Sequence, residues 1–328
     1  MNPGTSGSYG STVAVNPARR RKAAQARPPM PPPTMTTRGP GTLAAYASAR
    51  QNAAMVGDDR LAPLARWVFL PLIPLTAVFG PLLVLAPGHT ARYWAWTIEP
   101  SMSAVWVGAG YIFGACAIST MLVLNRWRTA ILATVATIPF AYAMIVATLL
   151  HLDRFPTGSV RFWVWLVIYV VLPVGLPVIL LRNRHADPGV EPGDVLLPRR
   201  LGRTVGAIGA LIDAYALALF LAPGTVGRVW PWPLTPLMAQ VVAGWLLFFG
   251  TGAGLLAFER RYRAVRAFLP SVAIWFGVLG IAALFHLDEF TTGPAATVAY
   301  FAAVIVVVAL SLGILFLGPR MATAPSDS

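Results

Sequence analysis

One cysteine, one lysine and four histidines are all that 328 residues offer of those types, and 12 acidic side chains face 25 basic ones. The cysteine, Cys116, lies inside an apolar run, so an intramolecular disulfide and a cysteine-built metal site are both excluded. The lysine, Lys22, lies in a Pro-, Gly- and Ser-rich stretch, which leaves none to serve a phosphate-binding loop. Neither a Gly-x-Ser-x-Gly elbow nor a His-Glu-x-x-His pair occurs. The chain therefore reads away from an enzyme, and no cofactor is expected of it.

Charge is scarce altogether, at 11% of residues, while 57% are hydrophobic and the mean hydropathy is +0.66. A soluble domain does not have this composition, and most of the chain must dissolve in a bilayer. Crossing one takes about 20 apolar residues as a helix. Suitable windows fall at 67–86, 102–124, 130–150, 162–181, 204–222, 237–258, 267–285 and 295–317. The fold class expected is an all-α integral membrane protein with eight transmembrane helices.

Basic residues between the windows set the direction. With the first 66 residues placed in the cytoplasm, 21 of the 25 fall on the inner side, and only Arg92, Arg154, Arg161 and Arg228 fall outside. Without the nine tail residues the inner side still leads twelve to four, so both termini are expected to be cytoplasmic in a plasma membrane. The excess of Arg over Lys, with abundant Ala, points to a GC-rich bacterial source.

Residues 1–60 differ in kind, with "RRRK" at 19–22 and "PPMPPP" at 28–33. Such a stretch buries too little apolar surface to fold and reads as a disordered, basic, Pro-rich arm. Residues 19–33 are expected to meet anionic lipid or a protein partner, and no nucleic acid is expected. No apolar segment precedes the first window, which is expected to act as an uncleaved anchor. The oligomeric state has no signature.

Two stretches raise the question of internal order: "TLLHLDRFPTG" at 148–158 and "ALFHLDEFTTG" at 283–293. Upstream, "APGHTARYWAWTIEPSM" (86–102) lies over "APGTVGRVWPWPLTPLM" (222–238) at a shift of 136, matching Arg92 to Arg228, Trp94 to Trp230, Trp96 to Trp232 and Pro100 to Pro236. After one lost residue the shift is 135, and His151, Asp153 and Phe155 meet His286, Asp288 and Phe290. The chain is read as two tandem four-helix repeats, 61–197 and 198–328. Four is even, so both copies face alike, in the parallel manner of an axis along the membrane normal. The Arg-x-Trp-x-Trp loops are then expected to form an outer aromatic belt with wet indole N–H groups. Matched glycines (Gly108 with Gly244, Gly114 with Gly250) mark spans 2 and 6 as the central contact. Prolines in span 1 and glycines in span 5 suggest that both are interrupted, the pattern that marks a midplane binding site in transporters.

Asp213 is the acidic residue that lies deep within a span, and its counterpart is Ala77. An ionised carboxylate there is costly without a cation at the same depth, so it is expected to stay neutral, to bind a cation, or to bond a side chain such as Tyr142 or Thr251. The second candidate is the outer-face set His151, Asp153, His286 and Asp288. If the four converge they suit a metal such as zinc, and two facing histidines suit haem. Otherwise each His caps a helix C-terminus while Asp and Thr-Gly make a turn. Three functions follow: a proton- or cation-coupled transporter with Asp213 as coupling group, a non-catalytic scaffold or accessory subunit whose arm recruits a partner, and an extracytoplasmic metal or haem protein.

Overall fold

The computed structural model describes residues 59–187, 189–191 and 193–321. Most of the expected arm, residues 1–58, lies outside them. The described residues form helices and no strand, and eight helices are long and apolar enough to cross a membrane. They are α1 (Pro63–Leu85), α2 (Ser101–Leu124), α3 (Trp127–Leu150), α4 (Val160–Arg182), α5 (Arg199–Leu221), α6 (Pro236–Leu255), α7 (Tyr262–Phe285) and α8 (Pro294–Arg320). Their outward faces carry bare apolar side chains such as Val160, Leu211, Phe285 and Phe316, each about 70–80% exposed, as a lipid-facing perimeter requires. The chain is a multi-pass membrane protein.

The helices outrun the apolar windows at their basic ends. α5 begins at Arg199, not 204, because arginine stems can lie along a helix while their heads reach water, and α3 begins at Trp127, not 130, where Arg128 is held by buried ion pairs. α1 is broken at Leu70–Pro71, where proline removes a donor, into Pro63–Phe69 and Leu72–Leu85. Its counterpart is a correction: α5 runs unbroken, and the helix that does break is α7, between Arg266 and Leu269. The glycines of α5 let it lie on α6 instead. A Cβ on Gly209 would stand 2.5 Å from the Gly250 carbonyl, and one on Gly202 2.5 Å from that of Leu256.

Packing falls into hairpins, α1 on α2, α3 on α4, α5 on α6 and α7 on α8. Successive hairpins scarcely meet through α2 and α3, or through α6 and α7. Instead α3 packs along α6, and α7 along α2. Under the sequence shift each of these pairings has its counterpart. The central helices are α6, α3 and α2, of which 67%, 50% and 44% is buried, against 17% of α1 and 22% of α5 and α8.

α2 and α6 face each other through rings rather than glycines, which corrects the expected contact. Tyr111 meets Trp245 and Phe113 meets Phe248 and Phe249, with centroids 5.4–6.4 Å apart. The matched glycines serve other neighbours: a Cβ on Gly108 would strike Leu83 and the Gly80 carbonyl of α1, and one on Gly244 would strike Met144 of α3.

The tryptophan loops are not an interfacial belt. Trp94, Trp96, Trp230 and Trp232 are all buried, the last completely. Trp96 packs against Phe155 and Trp165 (5.3 and 4.8 Å), and Trp232 packs against Phe290 and Tyr300 (5.4 and 5.6 Å). Phe155 and Phe290 are the phenylalanines of the two His-Leu-Asp-x-Phe stretches, so the repeated motif delivers a ring into a tryptophan cage. Trp232 also donates from Nε1 to Ser103 Oγ of α2 at 3.0 Å. Trp232→Ala is expected to cost about 3–5 kcal/mol, as other buried Trp truncations do. Unfolding in detergent should show this, and Trp67→Ala, at a residue 74% exposed, should cost under about 1 kcal/mol.

The opposite end is closed by ion pairs. Arg128, whose side chain is 6% exposed, donates from Nε to Asp59 (2.6 Å) and from Nη1 to Glu191 (2.9 Å). Asp59 also accepts from the Arg128 backbone N–H, and its carbonyl accepts from that of Trp127 (3.0 and 2.8 Å), so it caps α3. The folded region thus begins inside the stretch read as arm. Around α7, Arg261 binds Asp187 (2.5 Å) and Glu259, while Tyr262 N–H donates to the Val195 carbonyl (2.9 Å). Arg128 holds the Glu191 carboxyl below the usual carboxylate range, and at Asp187 the cost of burial is outweighed by Arg261, with the same net direction.

Candidate functional site

Asp213 lies where α5 and α6 approach most closely. Its carboxyl rests against Gly250, where a Cβ would overlap it. Thr251 donates from Oγ1 to Asp213 Oδ2 at 3.4 Å, and Oδ1 is buried with no partner among the described residues. Of the two side chains expected to satisfy Asp213, Thr251 is therefore the one in place. Tyr142 lies on α3, 49% exposed. Asp213 lines neither of the two cavities described below.

The outer-face set is not assembled. His151 directs Nε2 to Gln240 Oε1 of α6 at 3.0 Å, which requires the proton on Nε2, and Gln240 in turn donates to the Phe220 carbonyl of α5 at 3.0 Å. Asp153 is exposed and pairs with Arg154 at 3.1 Å. His286 Nδ1 stands 3.7 Å from Glu289 Oε1, and Asp288 is exposed. Among the described residues no three His, Cys, Asp or Glu side chains gather as metal ligands. The reason is geometric: His151 turns to Gln240 of α6, while in the other motif it is Glu289, beside His286, that reaches α2, so the two motifs part.

Glu289 is a functional group that sequence reasoning passed over. Its carboxylate accepts from the backbone N–H groups of Ser101 (3.1 Å) and Met102 (2.6 Å), and so caps the N-terminus of α2 from the other end of the chain. A helix N-terminus carries partial positive charge, and a carboxylate there is favourable. The signal available was the change of Arg154 to Glu289 between the copies, which reverses the charge at one matched position.

Two cavities accompany these groups. The outer one, about 530 Å³, is lined by both apolar and polar groups, the latter including Glu99, Ser101, Thr235 and Glu289. Thr97, Ile98 and Glu99 line it together with Pro233, Leu234 and Thr235, their counterparts at a shift of 136. The inner one, about 100 Å³, lies among α1, α2, α3, α4 and α6 and is almost wholly apolar. Comparison with family models, with curated proteins and with solved structures finds no match.

Proposed function

We propose that this chain is a non-conducting membrane scaffold made of two tandem copies of a four-helix unit, both facing the same way, with its termini in the cytoplasm and the arm at residues 19–33 meeting anionic lipid or a protein partner. The observation that carries this reading is the ring-filled centre. Between α2, α3, α6 and α7 the space is occupied by Trp106, Phe113, Phe140, Trp245, Phe248 and Trp275, in mutual contact at 4.4–6.4 Å. A solute path needs polar groups at depth, and here rings stand in their place. Two further observations support the duplication. The swapped pairings α3 with α6 and α7 with α2 are counterparts of one another, and the outer cavity is lined by residues and their own repeat partners, as a cavity on a pseudo-two-fold axis would be.

A second reading, proton or cation coupling through Asp213, is favoured by its buried oxygen Oδ1, which has no partner among the described residues. A single experiment separates the two. In liposomes containing a trapped pH dye, an imposed pH gradient is expected to decay at the same rate with and without the protein. Asp213→Asn keeps the acceptor for Thr251 and should change neither that rate nor the unfolding midpoint by more than about 0.5 kcal/mol. A protein-dependent proton flux that disappears in Asp213→Asn would establish coupling and remove the scaffold.

A further inference from the structure

We infer that the inner cavity is a binding site for a membrane-dissolved ring compound that carries one carbonyl acceptor. The cavity lies in the seam between the α1–α2 and α3–α4 hairpins, with Trp245 and Phe248 of α6 closing it. Its volume is about 100 Å³. Engineered apolar cavities of roughly 150 Å³ take up benzene and stay dry, so this one is scaled to a single ring whose substituents extend along the seam.

Four hydroxyl-bearing side chains line it, and two of them are already committed. Thr76 donates to the Leu72 carbonyl (2.7 Å) and Thr137 to that of Ala133 (2.6 Å), both in their own helices. The other two, Tyr111 and Tyr169, are 5% and 3% exposed and both line the cavity. A phenol has one proton to donate. A bond between the two would use only one of the pair's two protons, and neither hydroxyl bonds a backbone group or another side chain among the described residues. An apolar chamber with a spare O–H donor selects a ring bearing an acceptor over a bare hydrocarbon, because a buried donor left unpaired is unfavourable.

The second copy has closed the equivalent space. Tyr111 corresponds to Leu247, Thr137 to Val272, Tyr169 to Val304, and Phe140 and Ala141 to the larger Trp275 and Phe276. Trp275 sits there at 4.1 Å from Phe249 and 5.1 Å from Phe113. Core packing normally removes a void at this depth, so a void kept in one copy together with its tyrosine pair is consistent with an occupant.

The test uses the full chain in lipid nanodiscs and fluorine NMR of para-fluoroacetophenone, with para-fluoroethylbenzene as the acceptor-free comparison. Saturable binding of the ketone is expected, about tenfold tighter than that of the hydrocarbon. The double variant Tyr111→Phe/Tyr169→Phe should erase that preference while leaving hydrocarbon binding unchanged, whereas either single variant keeps one donor and should retain it. Gly114→Leu should abolish both, since a Cβ there meets nothing nearer than Thr76 Cγ2 at 3.5 Å and the side chain is free to fill the cavity. Ala117→Leu is a second filling variant should the first disturb the fold, as judged by its unfolding midpoint. Ketone binding that is not saturable, or that survives both filling variants, overturns the site. Equal affinity for ketone and hydrocarbon in the unaltered protein overturns the assignment of the ligand.

Discussion

Arg128→Ala is expected to destabilise the folded bundle by about 3–5 kcal/mol, enough to abolish it in most detergents. The magnitude follows from what is left behind. Arg128 is one of two buried guanidinium groups among the described residues, and its removal leaves Asp59, itself buried, with only the longer contact to the exposed Arg126 and the residue-128 backbone N–H, and leaves Glu191 without its partner. A buried carboxylate so weakly compensated is costly, and the loss spreads because Asp59 also caps α3. Arg126 gives the internal comparison. It pairs with the same Asp59 oxygen at 3.4 Å, but its side chain is 60% exposed, so Arg126→Ala should cost under about 1 kcal/mol. Unfolding in mixed micelles, followed by tryptophan fluorescence, ranks the two. Similar costs for both would show that burial does not set the energetics at this end.

The larger effect is expected on dividing the chain. Expressed alone, residues 61–197 should fail to form a protease-resistant product, because α2 lacks α7 and α3 lacks α6. The rings stranded in lipid would include Trp106, Phe113 and Phe140, whose partners Trp230, Trp275 and Trp245 are on the other half. The N-terminus of α2 would also lose the Glu289 carboxylate. Co-expression with residues 198–328 should restore resistance. Two four-helix bundles that merely dock would each survive alone, so a stable 61–197 product tells directly against interlocking. The effect is close to all-or-none because helices in lipid associate by fit and hydrogen bonding, with little hydrophobic drive to hold a half-filled interface.

Span number was legible because length and apolar composition are one-dimensional properties, though the helix starts at Trp127 and Arg199 were not. The alignment of His151-Leu152-Asp153 with His286-Leu287-Asp288 was legible too, since identity at a constant shift needs no structure. What these residues touch was not. Trp94, Trp96, Trp230 and Trp232 read as a belt because an indole in a loop suits the headgroup region, and only tertiary folding places a cage of helices around them. The histidines left two readings open, a converging set and a pair of helix-capping turns, because sequence alone does not say whether matched residues meet. Matching alone does not bring residues together: Glu99 and Thr235 share the outer cavity, whereas His151 bonds Gln240 of α6 and His286 faces Glu289 of its own turn. For Asp213 the sequence offered Tyr142 and Thr251 as partners, and Thr251 is the one within reach.

The account rests on halves that interlock, and an α3–α6 cross-link tests this most directly. Ala143 and Gly244 are suited to it, since a Cβ on Gly244 would lie 3.3 Å from that of Ala143, close to the separation a disulfide spans, with only the flexible end of Met144 to displace. In a Cys116→Ser background carrying Ala143→Cys, Gly244→Cys and a protease site in the α4–α5 connector, oxidation followed by cleavage should leave one covalently joined species on a denaturing gel. Two separate fragments, with the thiols unoxidised or paired only between different molecules, would contradict it.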